Sequence, residues 1–142
     1  MEIEGYVIPD DLYYHKEHFW ARVEGDTVTV GSSDFAQKLA GQIVYVELPS
    51  VGRAVEQGKA CGSMESGKWV GRIYAPVSGK VETVNMQLED SPELINESPY
   101  EKGWICQIKP SNLEEELRHL MKGKDVLEFI TSEIERVNKL KK

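Results

Sequence analysis

The 142-residue chain reads as a mainly β protein of the α+β class, a single domain over residues 1–142 with peripheral and C-terminal helices. Three observations predict this. Runs dense in β-branched and aromatic residues recur at short intervals, as in FWARVEGDTVTVG, QIVYVELP and WVGRIYAPVSGKVETVN. Glycine and proline punctuate those runs without forming a linker of their own. From Ser111 onward the apolar spacing becomes helical, with Val126, Ile130, Ile134 and Val137 falling on one face.

Each element follows from its residues. Trp20, Val23, Val28 and Val30 flank the turn-forming Glu24-Gly25-Asp26 and predict a hairpin. SSDFAQKLAG predicts a short helix capped by Ser32 or Ser33, with Asp34 in its positive first turn and Gly41 at its left-handed end. The run from Gln42 to Pro49 has few polar breaks and predicts a strand buried on both faces. Two strand-rich arms then flank Lys68, broken by Gly58 and Gly62 before it and by Gly71 and Gly79 after it. Gly58 stands ten residues before Lys68 and Gly79 eleven after, so arms folded back from the lysine are expected to bring these glycines level as an internal pseudo-repeat.

The stretch LEDSPELINESPYEKGW, with Pro92, Pro99 and Gly103, is expected to be an irregular loop that ends in a strand from Trp104 to Ile108. Ser111 and Glu114 have the spacing of a capping box and open a helix that stops near Gly123. A second helix follows, the pair covering about 112–141, and Lys139, Lys141 and Lys142 suit its negative end.

Composition excludes several functions. With 24 acidic against 17 basic residues the formal charge is -7, which opposes nucleic acid and anionic membranes as partners. No apolar run approaches the roughly 20 residues of a spanning helix, and MEIEGYVIPDD lacks a signal pattern, so a cytoplasmic location is expected. Cys61 and Cys106 form no CxxC pair and do not group with His15, His18 and His119, so reduced, buried thiols and no metal site are expected. No nucleophile–base–orienting triad and no phosphate-binding glycine loop can be named, so no catalytic residues are assigned.

A carrier makes a different demand: one amine projected from a tight turn, open to a modifying enzyme. Lys68 in MESGKWVGRIYAPVSGKV meets it. Gly67 is expected to give the turn dihedrals closed to other residues, and Ser66 to stiffen it through its hydroxyl.

With those residues in view, the chain resembles the glycine cleavage system H protein family of lipoyl carriers, from Asp11 to about Phe129. The blocks TVTVG, IVYVELPSVG, GSMESGKW, APVSGKVETVN and LEDSPELINESPYEKGW stand in the family's order. The resemblance implies a hammerhead, barrel-sandwich fold and a lipoate joined by an amide to Lys68, within a Glu-Ser-x-Lys motif that reads Glu65-Ser66-Gly67-Lys68 here. It implies a non-catalytic subunit whose partners are a lipoate ligase or lipoyl transferase, dihydrolipoamide dehydrogenase and the cargo enzymes. Biotin carriers place methionine on both sides of their lysine, whereas Gly67 and Trp69 flank Lys68.

Two positions depart from the family. Its His-Glu-Trp reads His18-Phe19-Trp20, and its acidic residue four places after the lysine is Arg72. Phenylalanine and arginine cannot hold an ammonium by charge. The cargo cleft, expected to involve His18, Phe19, Trp69 and Arg72, therefore resembles that of H-like lipoate-binding proteins of sulfur-oxidising bacteria. Those proteins carry sulfur intermediates for a heterodisulfide-reductase-like complex, and the reading leans that way. Two alternatives stand beside it. One is a true H protein passing an aminomethyl group from glycine decarboxylase to aminomethyltransferase, with Asp10, Asp11 or Glu17 as the acid. The other is an unmodified interaction module.

Overall fold

The computed structural model describes residues 1–140; Lys141 and Lys142, expected at a helix end, lie outside the described residues. A two-stranded ribbon opens the chain, β1 (Glu2–Ile3) with β2 (Tyr6–Val7). An antiparallel meander follows, of β3 (Tyr13–Tyr14), β4 (Phe19–Glu24) and β5 (Thr27–Ser32). Helix α1 (Asp34–Ala40) then leads to β6 (Ile43–Glu47), β7 (Ala54–Val55), β8 (Ala60–Ser66), β9 (Val70–Tyr74) and β10 (Gly79–Val84). Short helices α2 (Gln87–Asp90) and α3 (Leu94–Glu97) precede β11 (Cys106–Pro110), α4 (Leu113–Leu117) and α5 (Lys124–Leu140).

The strands form a six-stranded sheet in the order β3-β4-β5-β11-β10-β7 and a three-stranded sheet in the order β6-β8-β9. A core of Val28, Val30, Val81 and Ile108 from the larger sheet meets Ile43, Val46, Met64 and Ile73 from the smaller. The alternation of β4 builds a second core behind it: Phe19 and Ala21 enter the first, while Trp20 joins Ile8, Phe35, Ile130 and Ile134. The expected helical face of α5 thus closes the second core with Val126, Ile130 and Ile134. Among the described residues no helix is long and apolar enough to cross a membrane.

Several expectations hold. The hairpin turns at Glu24-Gly25-Asp26, Ser33 caps α1 by accepting from the Ala36 N–H at 3.2 Å, and Gly41 follows with φ 85°. Others are corrected. The strand from Ile43 is not buried on both faces: β6 is the edge of the smaller sheet, with a register shift between Ile43 and Tyr45, and both Val44 and Tyr45 face solvent. The arms around Lys68 do fold together, but the Gly58 N–H meets the Ala75 carbonyl while Gly79 faces Val55, so the glycines are not level.

The stretch expected as irregular contains α2 and α3, and its strand begins at Cys106. The capping box at Ser111 does not form. The Ser111 N–H is engaged by the Ser78 carbonyl at 3.0 Å, which holds Ser111 outside the helix and leaves Asn112 at the N-cap without a side-chain bond. Helix α4 ends at Leu117, well before Gly123, because Met121 pairs with Tyr14 as a β-bridge.

Trp20 anchors the second core to the neighbouring strand and loop. The Trp20 indole N–H donates to the Ser32 and Pro99 carbonyls at 3.1 and 3.0 Å, and its ring lies against Gly31. A Cβ at Gly31 would overlap the ring. Gly31→Ala is therefore expected to destabilise the fold by about 1–3 kcal/mol in urea denaturation, since a closely packed core cannot absorb an added methyl there.

Candidate functional site

Lys68 stands at the tip of the β8–β9 hairpin, exposed, as the sequence leads one to expect. The Ser66 N–H donates to the Trp69 carbonyl at 2.8 Å and closes a two-residue turn of Gly67 and Lys68. Ser66 does more than stiffen this turn. Its buried hydroxyl donates to the Ala40 carbonyl at the end of α1 and accepts from the Lys68 N–H at 3.3 Å. One side chain thus fixes the hairpin to the helix and orients the lysine backbone.

The expected role of Gly67 is corrected. Its φ is not positive, and a Cβ there would meet nothing within 4 Å, so the turn does not require glycine. Glycine is needed instead at Gly71, where a Cβ would overlap the Trp69 ring. It is needed also at Gly41, whose φ of 85° disfavours other residues, and the Lys68 side chain passes close to it, Cε 3.0 Å from where a Cβ would be.

Beside this turn opens a cleft of about 420 Å³ that brings together His18, Phe19, Trp69 and Arg72, the four residues expected there from distant parts of the chain. Phe19, Ala40, Ile43, Met64 and Ile95 give it an apolar floor. Glu17 lines it as well, whereas Asp10 and Asp11 do not, Asp10 pairing with the N-terminal ammonium at 3.6 Å. An exposed ε-amine beside an apolar cleft fits an aliphatic arm joined through an amide. Glu65, the first residue of the motif, is exposed on β8 and faces Tyr45 and Val70.

Sequence reasoning missed the wall supplied by α5. Arg136 and Val137 line the cleft, and Glu133 anchors them: the His18 Nε2–H donates to Glu133 Oε1 and Arg136 Nε donates to Glu133 Oε2, both at 2.9 Å. His18 also holds a left-handed φ of 70°, rare for a non-glycine residue, between stacked Phe129 and tilted Phe35 rings. Its Nδ1 is buried with no hydrogen-bond partner among the described residues. The amphipathic spacing of α5 predicted a packed helix, but nothing local marks which residues turn toward a cleft formed by β4, α1 and β9.

Sequence reasoning also missed Asn96 on α3. Its amide donates to the Gly41 carbonyl at 2.8 Å and to Gln37 Oε1 at 2.9 Å, while its oxygen accepts from the Ile43 N–H at 2.8 Å. This frames the segment over which the Lys68 side chain lies. The cysteines lie in the core outside the cleft, both buried, and burial pushes the Cys61 thiol up to about 11 and the Cys106 thiol further in the same direction. His15 accepts from the Glu17 N–H at its ring at 3.1 Å and from the His18 N–H at its carbonyl at 2.9 Å, while His119 contacts Gln57 at 3.0 Å.

Burial holds the imidazoles of His15 and His18 below their ordinary 6.5, although Glu133 opposes the shift at His18. The Arg136 hydrogen bond is the main force holding Glu133 below the usual carboxylate range. All three shifts have the same sign for stability: the unfolded chain binds the extra protons as the medium acidifies. The stability they confer is complete above pH 6.5 and lost as pH falls through the lowered folded values. Denaturation midpoints are expected to fall between about pH 7 and about pH 5. His18→Asn, which tolerates the left-handed backbone, is expected to make that slope shallower.

The family described as Glycine cleavage H-protein matches residues 12–133. A "Probable glycine cleavage system H protein" of Thermococcus kodakarensis is 52% identical over 133 residues, covering 93% of this chain and 98% of that one. The glycine cleavage system H protein of Halalkalibacterium halodurans is 49% identical over 126 residues, covering 89% of this chain and 98% of its own. The crystal structure of a glycine cleavage system H protein from Mycobacterium marinum superposes with a TM-score of 0.77 at 33% identity, covering 89% of this chain and 98% of that one. The chain belongs to the glycine cleavage H-protein family.

Proposed function

We propose that this chain carries the aminomethyl group of glycine cleavage, with Lys68 as its lipoylated residue. Proteins of the family are non-catalytic carrier subunits with a lipoate covalently attached to a lysine. When joined to that lysine, lipoate supplies a flexible arm whose dithiolane sulfurs open to accept and release cargo. Lys68 supplies the amine, Ser66 holds its backbone, and Gly41 leaves room for its methylenes.

The observation that carries this reading is the exposed Lys68 on a pinned hairpin beside a cleft that contains Glu17. The lean toward sulfur cargo rested on Phe19 and Arg72, and the likeness to glycine cleavage H proteins at about half identity supports the aminomethyl reading in its place. Phe19 packs in the core against Tyr74 at 6.4 Å and so serves as a wall. Glu17 offers the carboxylate that an ammonium needs, and Glu133 offsets the nearby Arg136 cation. Arg72 opposes a cation there, and its exposure lets solvent weaken that opposition.

The partners in this reading are glycine decarboxylase and aminomethyltransferase. Dihydrolipoamide dehydrogenase would reoxidise the arm, and a lipoate ligase or lipoyl transferase would attach it, all in the cytoplasm. The test is glycine–bicarbonate exchange with the host's glycine decarboxylase. The lipoylated chain is expected to support exchange and Lys68→Ala to abolish it; exchange no faster with the chain than with Lys68→Ala would refute the proposal. Glu17→Gln is expected to lower exchange roughly threefold to tenfold, the worth of one charge-assisted hydrogen bond at a partly solvated site.

A further inference from the structure

A second groove, sharing no lining residue with the cleft, lies on the flank of the smaller sheet. It measures about 650 Å³ and presents Tyr45, Val51 and Met86, which are 55%, 63% and 57% exposed. Large apolar side chains scattered singly over a surface are ordinary; three gathered in one groove mark a contact surface. The charges there have one sign, since Glu47 and Glu89 line the groove and no lysine or arginine does.

The groove runs on to the lysine. Tyr45 stands directly opposite Glu65 across β6 and β8, and Glu65 opposite Val70 across β8 and β9, so the three side chains form one row on the same face. All three are exposed, Val70 at 70%. Val70 lies two residues from Lys68. An apolar strip edged by Glu47, Glu89 and Glu65 thus leads from Met86 and Val51 through Tyr45 to the tip of the hairpin, with Arg72 as the cation in the neighbouring Glu47–Ser63–Arg72 row.

The occupant follows from what each partner must reach. Enzymes that exchange cargo meet the end of a long tether and can dock anywhere within its range. An enzyme that forms the amide must seat the ε-amine itself, so it must hold the hairpin that presents Lys68. We propose that the groove and the Tyr45–Glu65–Val70 row are the docking surface for the lipoate-attaching enzyme, which meets them with a basic, apolar face. This rests on the reading of Lys68 as the lipoylated residue. Charge complementarity of this kind speeds encounter, and the apolar residues slow release.

The experiment uses the full-length apo chain and its host's lipoate-attaching enzyme, following the lipoyl adduct by intact mass. Glu47→Lys with Glu89→Lys, and separately Val51→Ser with Met86→Ser, are expected to raise the KM for the chain by about tenfold with little change in kcat. Added salt should raise the wild-type KM and lower that of the charge-reversed variant, whose repulsion from a basic face it screens. Val51→Ser alone, at an exposed position, keeps the test open if a double variant folds poorly. Prelipoylated variants are expected to support glycine–bicarbonate exchange as the wild type does.

An unchanged KM in folded variants overturns the docking proposal. So does a loss confined to exchange, which would assign the groove to a cargo enzyme. Concentration-dependent self-association abolished by these changes, with KM unaltered, would overturn it in favour of a second copy of the chain. A wild-type chain that acquires no adduct at Lys68 overturns the lysine reading itself; an adduct formed equally well on wild type and variants overturns only the docking surface.

Discussion

The Ser66 hydroxyl is the point on which the site depends. It gives its proton to the Ala40 carbonyl and takes the Lys68 N–H, so a single buried oxygen joins a hairpin tip to a helix end. A free hairpin of this length would swing, and the amine at its tip would have no fixed relation to the cleft. Asn96 extends the restraint to Gly41, Gln37 and Ile43. The lysine is thus exposed on a rigid support, the combination a carrier requires: a fixed root for a modifying enzyme to grip and a mobile arm beyond it.

The second constraint is the C-terminal helix. Val126, Ile130 and Ile134 bury its apolar face, and this packing delivers Glu133 to His18 and Arg136 to the cleft. His18 occupies a backbone conformation that few side chains tolerate, and its ring is held by Glu133 on one edge and by aromatic faces on the others. Removing the helix would leave this imidazole without its partner and open the cleft wall. In this chain the cleft is therefore a product of both ends of the sequence.

What was legible in the sequence was what local chemistry determines. Glu65-Ser66-Gly67-Lys68, the Ser33 cap, the Glu24-Gly25-Asp26 turn and the face of α5 each declare themselves within a few residues. What was not legible depends on partners far along the chain. The solvent face of β6 follows from its edge position in the smaller sheet, and Ser111 is kept from its capping role by Ser78. Glu116 shows the same rule: it sits in an acidic helical turn, yet is buried because its carboxylate accepts from the Ser78 N–H at 2.7 Å. The cleft residues were a middle case. Their departures from the family pattern singled out Phe19 and Arg72, but only the fold set Glu17 and Arg136 beside them.

The central claim is that Lys68 carries the lipoyl arm, and peptide mass spectrometry of the protein purified from its native host tests it most directly. The peptide that spans Glu65 to Trp69 is predicted to bear a lipoyl adduct on Lys68, with the remaining lysines unmodified. An unmodified Lys68 in protein from lipoate-replete cells, or an adduct placed on another lysine, would contradict it.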